Sequence, residues 1–430
     1  MRDADRIVVV GAGIGGLATA LSVAARGHRV TVLERRAEIA EPGAGTQLSP
    51  NAFHALDRIG VERVVRAVRR QAVFTEELRL MDATTGERIA GMPLTGRYQQ
   101  RFGNPYAVLH RGELHSALLD ACRAATGIEL LTAEPVAWYE QTPDRVTAVT
   151  TTGGRFTGSA LIAADGIRSA VRRRLVGDGD PKVSGHTIYH SVVPLAGIAQ
   201  GRLPAELSPA GVTAWAGPGW HVVHFVHRTA DGAAYLNLAA THDHGAPEAA
   251  VGLPLEKSQV LGEFPELAGS VRELLELGEQ WRTWVLCDRD PVARWTDGRV
   301  ALLGNAAHPM LPYAIQGVSM TLEDAAVLGE LLDCDGREVP QRLAEYNAVR
   351  RGRTARTQLV ARELGARLFH PAGEAAAARD AMLAALTVDE LYDRLAWLHG
   401  TRDFTAPTPA GPADPADPTD PTDLTEGEGH

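Results

Sequence analysis

The chain has 430 residues, of which 45% are hydrophobic and 22% charged; this composition is typical of a folded globular protein and excludes a collagen, a coiled coil and a fully disordered chain. The net charge of −10 argues against a nucleic-acid partner. No apolar run reaches the ~18 residues of a membrane span, and the first strand begins too early to leave room for a signal peptide. We therefore expect a cytoplasmic protein with no membrane partner. The three cysteines are scattered singly, so neither a metal site nor a disulfide framework is expected.

Strands and helices alternate in the first 170 residues. The hydrophobic pattern predicts strands at 5–10, 29–33, 106–109 and 159–166, hairpins at 77–91 and 145–158, and helices at 14–26, 50–59 and 112–126. The helix at 50–59 has the clearest start, because Ser49 offers an N-cap and Pro50 takes the first helical position. Such alternation is typical of an α/β fold with a parallel sheet.

The second half begins with a strand-rich segment. Residues 186–240 contain four stretches rich in β-branched and aromatic residues, which predict a second sheet. A strand and turn follow near residue 299, then a helix over 316–332, and residues 338–399 are almost continuously helical. Residues 407–430 hold six prolines and six carboxylates without Lys or Arg, a composition typical of a disordered tail.

A glycine-rich turn joins the first strand to the first helix. Residues 11–16 read GAGIGG, which matches the G-x-G-x-x-G pattern of dinucleotide-binding folds. In that pattern Gly11 allows the tight turn, Gly13 lets a pyrophosphate approach the backbone, and Gly16 lets the helix pack closely on the strand. Glu34 closes the second strand, where a carboxylate binds a ribose hydroxyl. The N–H groups at the helix start complete an anion site, so we expect a bound dinucleotide.

Three further motifs follow in order along the chain. They read HRGEL at 110–114, ADGIRS at 164–169, and GNAAHPMLP at 304–312 followed by QG at 316–317 and EDA at 323–325. Together with the glycine-rich turn, these motifs resemble the class A flavoprotein aromatic hydroxylases, the family of p-hydroxybenzoate hydroxylase. The resemblance spans residues 5 to about 365, with one departure: the family usually has aspartate where this chain has Asn305.

Shorter stretches are similar to one subgroup of that family. Residues 43–52 read GAGTQLSPNA, residues 189–194 read YHSVVP and residues 215–221 read WAGPGWH. These stretches resemble salicylate, 3-hydroxybenzoate and 6-hydroxynicotinate hydroxylases, and they are the basis for expecting a phenolic or N-heteroaromatic acid as substrate.

The resemblance implies an α/β fold, with a Rossmann-like FAD-binding domain, an inserted β-sheet substrate domain and a C-terminal helical region. The expected division is FAD-binding parts at 1–75, 107–182 and 289–335, substrate-domain parts at 76–106 and 183–288, C-terminal helices at 336–400 and a disordered tail at 401–430.

The resemblance also implies a monooxygenase that uses NADH or NADPH and O₂ to hydroxylate an aromatic ring. Oxygen is expected to reach the ring from the C4a-hydroperoxide of tightly but non-covalently bound FAD. Two alternatives stay open. One is a tailoring oxygenase of the same fold, including a Baeyer–Villiger enzyme, acting on a larger natural product; the other is a flavin-binding protein without oxygenase activity. The sequence does not decide between NADH and NADPH, or between a monomer and a homodimer.

The expected cofactor-binding residues combine the glycine-rich turn with the family motifs. They are Gly11, Gly13, Gly15, Gly16, Glu34, Arg35, Gly45, Arg111, Asp165, Gly304, Asn305, Gln316, Gly317 and Val318. Backbone N–H groups of the turn at 316–318 precede a helix, so they are expected to face the flavin and stabilise negative charge on it.

Substrate activation needs a base, because electrophilic oxygen attacks a phenolate faster than a phenol. His221 is the candidate base, on a predicted strand where His224 points to the opposite face. Tyr313 and Pro312, in the loop between flavin and substrate, complete the expected catalytic group. The expected substrate contacts are Gln47, His190, Phe225 and Ile315. At the last three positions the relatives usually have Arg, Tyr, and Ala or Gly, respectively.

Overall fold

The computed structural model describes residues 6–40, 45–198, 210–264 and 266–406. Within these residues the strands are β1 (Arg6–Val10), β2 (Arg29–Leu33), β3 (Gly45–Leu48), β4 (Val73–Phe74), β5 (Glu77–Asp82), β6 (Arg88–Pro93), β7 (Ala107–His110), β8 (Ile128–Leu131), β9 (Val136–Gln141), β10 (Val146–Thr150), β11 (Arg155–Gly158), β12 (Ala160–Ala163), β13 (Lys182–Pro194), β14 (Gly211–Gly217), β15 (Trp220–Arg228), β16 (Ala234–Asp243), β17 (Val251–Pro254), β18 (Arg282–Asp288), β19 (Thr296–Asp297) and β20 (Val300–Leu302).

The α-helices of the same residues are α1 (Ile14–Ala24), α2 (Pro50–Ile59), α3 (Glu62–Gln71), α4 (Arg97–Phe102), α5 (Arg111–Ala124), α6 (Ala170–Leu175), α7 (Lys257–Gly262), α8 (Gly269–Glu276), α9 (Gly317–Leu331), α10 (Val339–Glu363), α11 (Gly373–Ala385) and α12 (Val388–His399). A π-helical turn over Leu364–Phe369 follows α10 directly. Across the described ranges, no helix combines the length and the apolar character needed to cross a membrane.

A six-stranded sheet forms the first layer, in the order β19-β20-β12-β1-β2-β8. Neighbouring strands pair in parallel except β19, which runs antiparallel to β20. Its central strands are short apolar runs that share one core with α1, α5 and α9. Because the carboxyl ends of parallel strands meet at one edge, the residues that follow β1, β2, β12 and β20 come together there. These residues include Gly11, Glu34, Asp165 and Gly304.

The second large sheet has eight strands in the order β17-β18-β13-β16-β15-β14-β5-β6. Strands β14 and β5 pair in parallel and the other neighbours are antiparallel. Alternation along β15 gives it two different faces. Trp220 and Val222 pack in a core with α7 and α8, whereas His221, Val223 and Phe225 line a cavity. Two three-stranded sheets, β11-β10-β9 and β3-β7-β4, are also present.

The predicted architecture is confirmed: a parallel sheet with helices, a second sheet and C-terminal helices. Both predicted hairpins are confirmed, as β5–β6 and β10–β11. The expected division into domains stays a prediction.

Residues 401–406, which the sequence placed in a disordered tail, pack against the rest of the protein. Phe404 is 1% exposed, and its ring centroid lies 5.8 Å from the guanidinium carbon of Arg58. Arg58 Nη1 also donates to the carbonyl oxygen of Arg402 at 2.7 Å. The aromatic ring supplies the buried apolar area that holds this segment in place. The rest of the predicted tail, 407–430, lies outside the described residues.

Helices α9 and α10 are joined by buried ion pairs. Arg350 Nε donates to Asp324 Oδ1 at 2.8 Å, and Arg353 donates to both carboxylate oxygens of Glu323, each at 2.8 Å. Burial alone raises the pKa of a carboxyl group, but Arg353 and Arg350 outweigh it and hold the pKa of Glu323 below its ordinary value. For Asp324, His308 and Arg350 likewise outweigh burial and lower the pKa. Because both folded-state pKa values are lowered, this stabilisation is present above the ordinary carboxyl pKa and is lost as acid protonates the pair.

We expect Arg350→Met to destabilise the protein by about 3–5 kcal/mol, because it leaves buried carboxylates short of positive charge. Arg342→Met on the same helix is the matched control. Its partners Glu338 and Glu345 are on the surface, so the urea midpoint should stay close to that of the parent. Urea unfolding followed by circular dichroism makes the comparison. Equal midpoints for the two variants would contradict the stabilising role of the buried pairs.

Candidate active site

The glycine-rich turn between β1 and α1 has the backbone of a nucleotide cradle. Gly11 has a φ of +99°, in the left-handed region that favours glycine. A Cβ on Gly16 would lie 1.8 Å from the Gly11 carbonyl oxygen, so glycine is required for α1 to pack this closely. A Cβ on Gly13, by contrast, would meet no atom of the described residues within 4 Å, and Gly13 lines a cavity. The open space at Gly13, at the N-terminus of α1, therefore suits the phosphate groups of a ligand.

Glu34 lies beside this turn, directly after β2. Its Oε2 accepts a hydrogen bond from the Ala12 N–H, and its Oε1 accepts one from the Arg36 N–H, both at 2.9 Å. Glu34 and Arg35 both line the cavity. The backbone thus holds the carboxylate next to the glycine-rich turn, where its remaining lone pairs suit the hydroxyls of a ribose.

Asp165 follows β12 at the same edge of the sheet. Its Oδ2 accepts from the Ala170 N–H at 2.9 Å, at the start of α6. Its Oδ1 is buried and has no hydrogen-bond partner among the described residues. Burial raises the pKa of Asp165 and outweighs the opposing hydrogen bonds from Ser169 and the backbone. A buried oxygen without a partner, on a residue that lines the cavity, fits a polar group of a bound ligand.

The loop after β20 forms another part of the cavity wall. Asp324, on α9, accepts from the Gly304 N–H at 3.1 Å, and the same oxygen lies 2.5 Å from His308 Nε2. This carboxylate therefore fixes both ends of the 304–308 turn. Asn305, between them, is exposed and lines the cavity. An amide donates and accepts hydrogen bonds, so it retains part of the bonding capacity of the aspartate it replaces.

Ile315 has a φ of +55°, which β-branched residues rarely adopt. The chain turns here, directly before α9, so that Gly317 and Val318 line the cavity at the helix start. Glycine adopts this φ without cost, which gives a physical reason for a small residue at this position in relatives. Backbone strain of this kind clusters at functional sites.

A cavity of about 600 Å³ runs from the glycine-rich turn to the second sheet. The site residues predicted from the sequence that line it are Gly11, Gly13, Gly15, Glu34, Arg35, Gly45, Gln47, Arg111, Asp165, His190, His221, Phe225, Gly304, Asn305, Pro312, Tyr313, Ile315, Gly317 and Val318. Two predicted residues do not line it. Gly16 lies behind the turn, where it allows the close packing of α1.

Gln316 is the other exception, because its side chain points away from the cavity into the protein. Gln316 Nε2 donates to Ser49 Oγ at 2.9 Å, and Gln316 Oε1 accepts from Asn51 Nδ2 at 3.0 Å. The side chain therefore has a structural role, and the expected cofactor contact through the backbone N–H groups of 316–318 stays a prediction. Gln316 joins the start of α9 to the start of α2.

Polar side chains at the sheet end of the cavity hold one another in place. Asn237 Oδ1 accepts from the Gly45 N–H at 2.9 Å and lies 2.7 Å from His190 Nε2. Tyr106 donates its hydroxyl hydrogen to Gln47 Oε1 at 2.6 Å. These bonds fix the orientation of His190 and Gln47 on the wall. Because these two side chains are already ordered, a substrate that contacts them loses less conformational entropy on binding.

His221 lies in the same wall and is 5% exposed. Its Nδ1 lies 2.8 Å from His370 Nε2, and its ring stacks on Phe369 with centroids 4.7 Å apart. The Tyr313 ring is 5.4 Å away. Burial, and then His370 and His186, hold the pKa of His221 well below the ordinary imidazole value. His221 is therefore a neutral imidazole at neutral pH.

Several residues at this end carry no sequence signal. Asn237, His186, Phe369 and His370 belong to no motif, although each contacts a predicted site residue. Phe369 lines the cavity and His370 contacts His221 because a π-helical turn ends α10 there, and such turns are frequent at functional sites. The pairing of His186 with Tyr313 spans 127 positions, so local spacing does not reveal it.

We expect Gly13→Leu to abolish FAD binding while leaving the fold intact. The φ of −74° at Gly13 accepts any residue, and the leucine side chain would fill the space predicted for the pyrophosphate. Gly352→Leu is the control, because its Cβ also meets no neighbour but lies on α10, away from the cavity. FAD titration followed by fluorescence quenching is the measurement. A wild-type affinity for FAD in Gly13→Leu would contradict the placement of the FAD pyrophosphate at this turn.

Comparisons with known proteins agree with this geometry. A family model described as an FAD binding domain matches residues 5–191 and 270–361. The chain is 42% identical over 398 residues to 3-hydroxybenzoate 6-hydroxylase 1 of Aquipseudomonas alcaligenes, covering 92% of this chain and 98% of that protein. It is 30% identical over 371 residues to 6-hydroxynicotinate 3-monooxygenase of Bordetella bronchiseptica, covering 84% and 92%. A solved salicylate hydroxylase substrate complex aligns with a TM-score of 0.78 and 25% identity, over 95% of this chain and all of that one.

These matches confirm the resemblance, the fold class, the FAD cofactor and the enzyme class predicted from the sequence. The family model alone covers more than half of the chain. This chain therefore belongs to the FAD-binding family of flavin-dependent aromatic monooxygenases.

Proposed function

We propose that this protein uses NADH or NADPH and O₂ to hydroxylate a ring acid that already carries a hydroxyl group, with 3-hydroxybenzoate as the first substrate to test. The observation that carries the proposal is the continuity of the cavity. The glycine-rich turn and the face of β15 that carries His221, Val223 and Phe225 open into the same space. A cofactor bound at the turn therefore reaches a ring bound against the sheet.

The residues at the nucleotide end fit FAD. The space at Gly13 suits the pyrophosphate, the carboxylate of Glu34 suits a ribose, and the Asp165 Oδ1 atom has no hydrogen-bond partner among the described residues. FAD, when bound and reduced by the nicotinamide cofactor, supplies the activated oxygen. The protein's own contribution is to bind, orient and keep the site dry.

Apolar side chains keep water out of the ring-binding part of the cavity. Leu311, Phe225 and Phe369 line the cavity, so a flat ring placed against them displaces water from apolar surface. In another part of the wall, the N-terminus of α9 presents Gly317 and Val318 to the cavity. The helix dipole and the free N–H groups there favour negative charge.

His221 and Tyr313 are the groups placed to act on the substrate hydroxyl. Because His370 engages His221 Nδ1, His221 Nε2 remains to hydrogen-bond the substrate oxygen and orient the hydroxyl. The lowered pKa of His221 means that this imidazole does not retain a proton at neutral pH. The hydroxyl proton must therefore travel on to another group.

We further propose that the enzyme works in the cytoplasm as a monomer or a homodimer. NADH and NADPH are intracellular electron donors, and the three cysteines are free thiols, as expected in a reducing compartment.

The test of the proposed function compares two histidines of β15. The parent protein should oxidise NADH or NADPH in the presence of 3-hydroxybenzoate, salicylate or 6-hydroxynicotinate and give a product one oxygen heavier. His221→Asn should lower the hydroxylation rate by about 10²-fold with a normal flavin spectrum, and higher pH should restore part of the rate. His224→Asn is the control, because His224 lies on the opposite face and accepts from Trp215 Nε1. Equal rates in the two variants would contradict the role of His221.

A further inference from the structure

Three polar side chains form a row from the cavity to the protein surface. Tyr313 lines the cavity, and its hydroxyl hydrogen-bonds His186 Nδ1. His186 Nε2 lies 3.4 Å from Asp243 Oδ2, on the last residue of β16. The exposed fraction of the side chain rises from 15% for His186 to 47% for Asp243. The row therefore connects the substrate end of the cavity with solvent.

We propose that Tyr313, His186 and Asp243 form a proton outlet for the substrate hydroxyl, an inference that rests on the proposed function. As the substrate O–H bond breaks, the Tyr313 oxygen accepts that proton and passes its own to His186 Nδ1. The proton on His186 Nε2 moves to the Asp243 carboxylate, which releases it to water. The substrate is left as a phenolate, and the transfer needs no oxidant or reductant.

The charges along the row suit this transfer. Burial, with Asp243 nearby, raises the pKa of Tyr313, so its hydroxyl gives up one proton only as it receives another. Burial lowers the pKa of His186, Asp243 opposes that effect and His244 adds to it. His186 is therefore neutral at rest, with Nδ1 free to accept a proton. Once protonated, its imidazolium faces a carboxylate that stabilises it.

The neighbouring pair of His221 and His370 does not lead to an exposed proton acceptor among the described residues. His370 Nδ1 is buried and has no hydrogen-bond partner in the part of the chain that the structure describes. Burial, reinforced by His186, lowers the pKa of His370 to about 4. A proton passed to His370 would thus meet no hydrogen-bonded acceptor, whereas the row through His186 ends at the exposed Asp243.

The groups that face His186 come from four parts of the fold. They are Asp243 and His244 at the end of β16, His221 on β15, Tyr313 in the loop before α9, and His370 after the π-helical turn. Asp243 is the one carboxylate in this set, so its removal takes away the negative charge that draws the proton outward.

A purely structural role is the competing explanation. In that case the hydrogen bond between Tyr313 and His186 only stabilises the conformation of the loop before α9. The two roles differ in their response to a base added in solution. Added imidazole can replace a missing proton carrier, but it does not restore a missing structural hydrogen bond.

The experiment uses FAD-loaded protein with His186→Ala and Asp243→Asn as test variants. His242→Asn is the control, because His242 neighbours Asp243 on β16 but pairs with Glu263 instead. EDTA is present throughout to exclude effects of stray metal ions. The probe is 3-hydroxybenzoate, and Asp243→Asn keeps the test valid if His186→Ala folds poorly.

At pH 7 we expect the hydroxylation rate to fall by about 10²-fold in His186→Ala and about tenfold in Asp243→Asn. The loss should shrink toward pH 10, where a phenol ionises unaided, and imidazole should restore His186→Ala. Proton release on binding 3-hydroxybenzoate without NADH or NADPH, followed with a pH-indicator dye, should slow in both variants. The His242→Asn control should match the parent.

Variants that lose rate equally at every pH without response to imidazole, or that release the proton at the parental rate, would overturn the outlet. If the parent makes no product from any tested ring acid, the proposed function fails instead. The dye measurement, which needs no turnover, still decides on the outlet in that case.

Discussion

Two adjacent carboxylates in α9, Glu323 and Asp324, are completely buried, and the site depends on how they are held. Each is ion-paired with an arginine of α10. Glu323 also accepts from Asn51 on α2 at 2.7 Å, and Asp324 accepts from the N–H of Gly304 in the cavity wall. Removing one partner of a buried ion pair is strongly destabilising, because the other charge stays buried without compensation. The two carboxylates therefore lock α2, α9, α10 and the 304–308 turn into one arrangement, which keeps this part of the cavity wall in place beside the glycine-rich turn.

The cavity brings together two sheets with different tasks. The parallel sheet supplies backbone N–H groups and strand-end carboxylates, which suit a nucleotide. The eight-stranded sheet supplies an apolar wall with a few fixed polar groups, which suits a flat ring. The C-terminal region completes the second half, because the π-helical turn after α10 places Phe369 and His370 against His221. Burial there lowers the pKa of each imidazole, and the proposed proton outlet leads instead through His186 to the exposed Asp243.

The fold and the nucleotide end could be predicted from the sequence because their signals are local. The GAGIGG turn directly follows β1, and Glu34 and Asp165 directly follow buried strands, so the sequence places each of them at the end of its strand. The ring end could be predicted only in part. His221 and Tyr313 stand within motifs, but His186 and Asp243 come from separate elements that only the folded chain brings together. The pKa of His221 depends on its burial, which the local sequence does not reveal. The direction of a side chain such as Gln316, which points into the protein, also depends on the packing of distant segments.

The FAD dissociation constant of Asp324→Asn tests most directly whether the buried pairs shape the cofactor site. This variant keeps the volume of the side chain but removes the charge that holds the 304–308 turn. We expect FAD to bind about tenfold or more weakly, as the loss of a charged hydrogen bond implies. Asp297→Asn, which removes a carboxylate bonded to Tyr139 away from the cavity, should bind FAD as the parent does. Unchanged FAD affinity in Asp324→Asn, with the protein folded, would contradict the account.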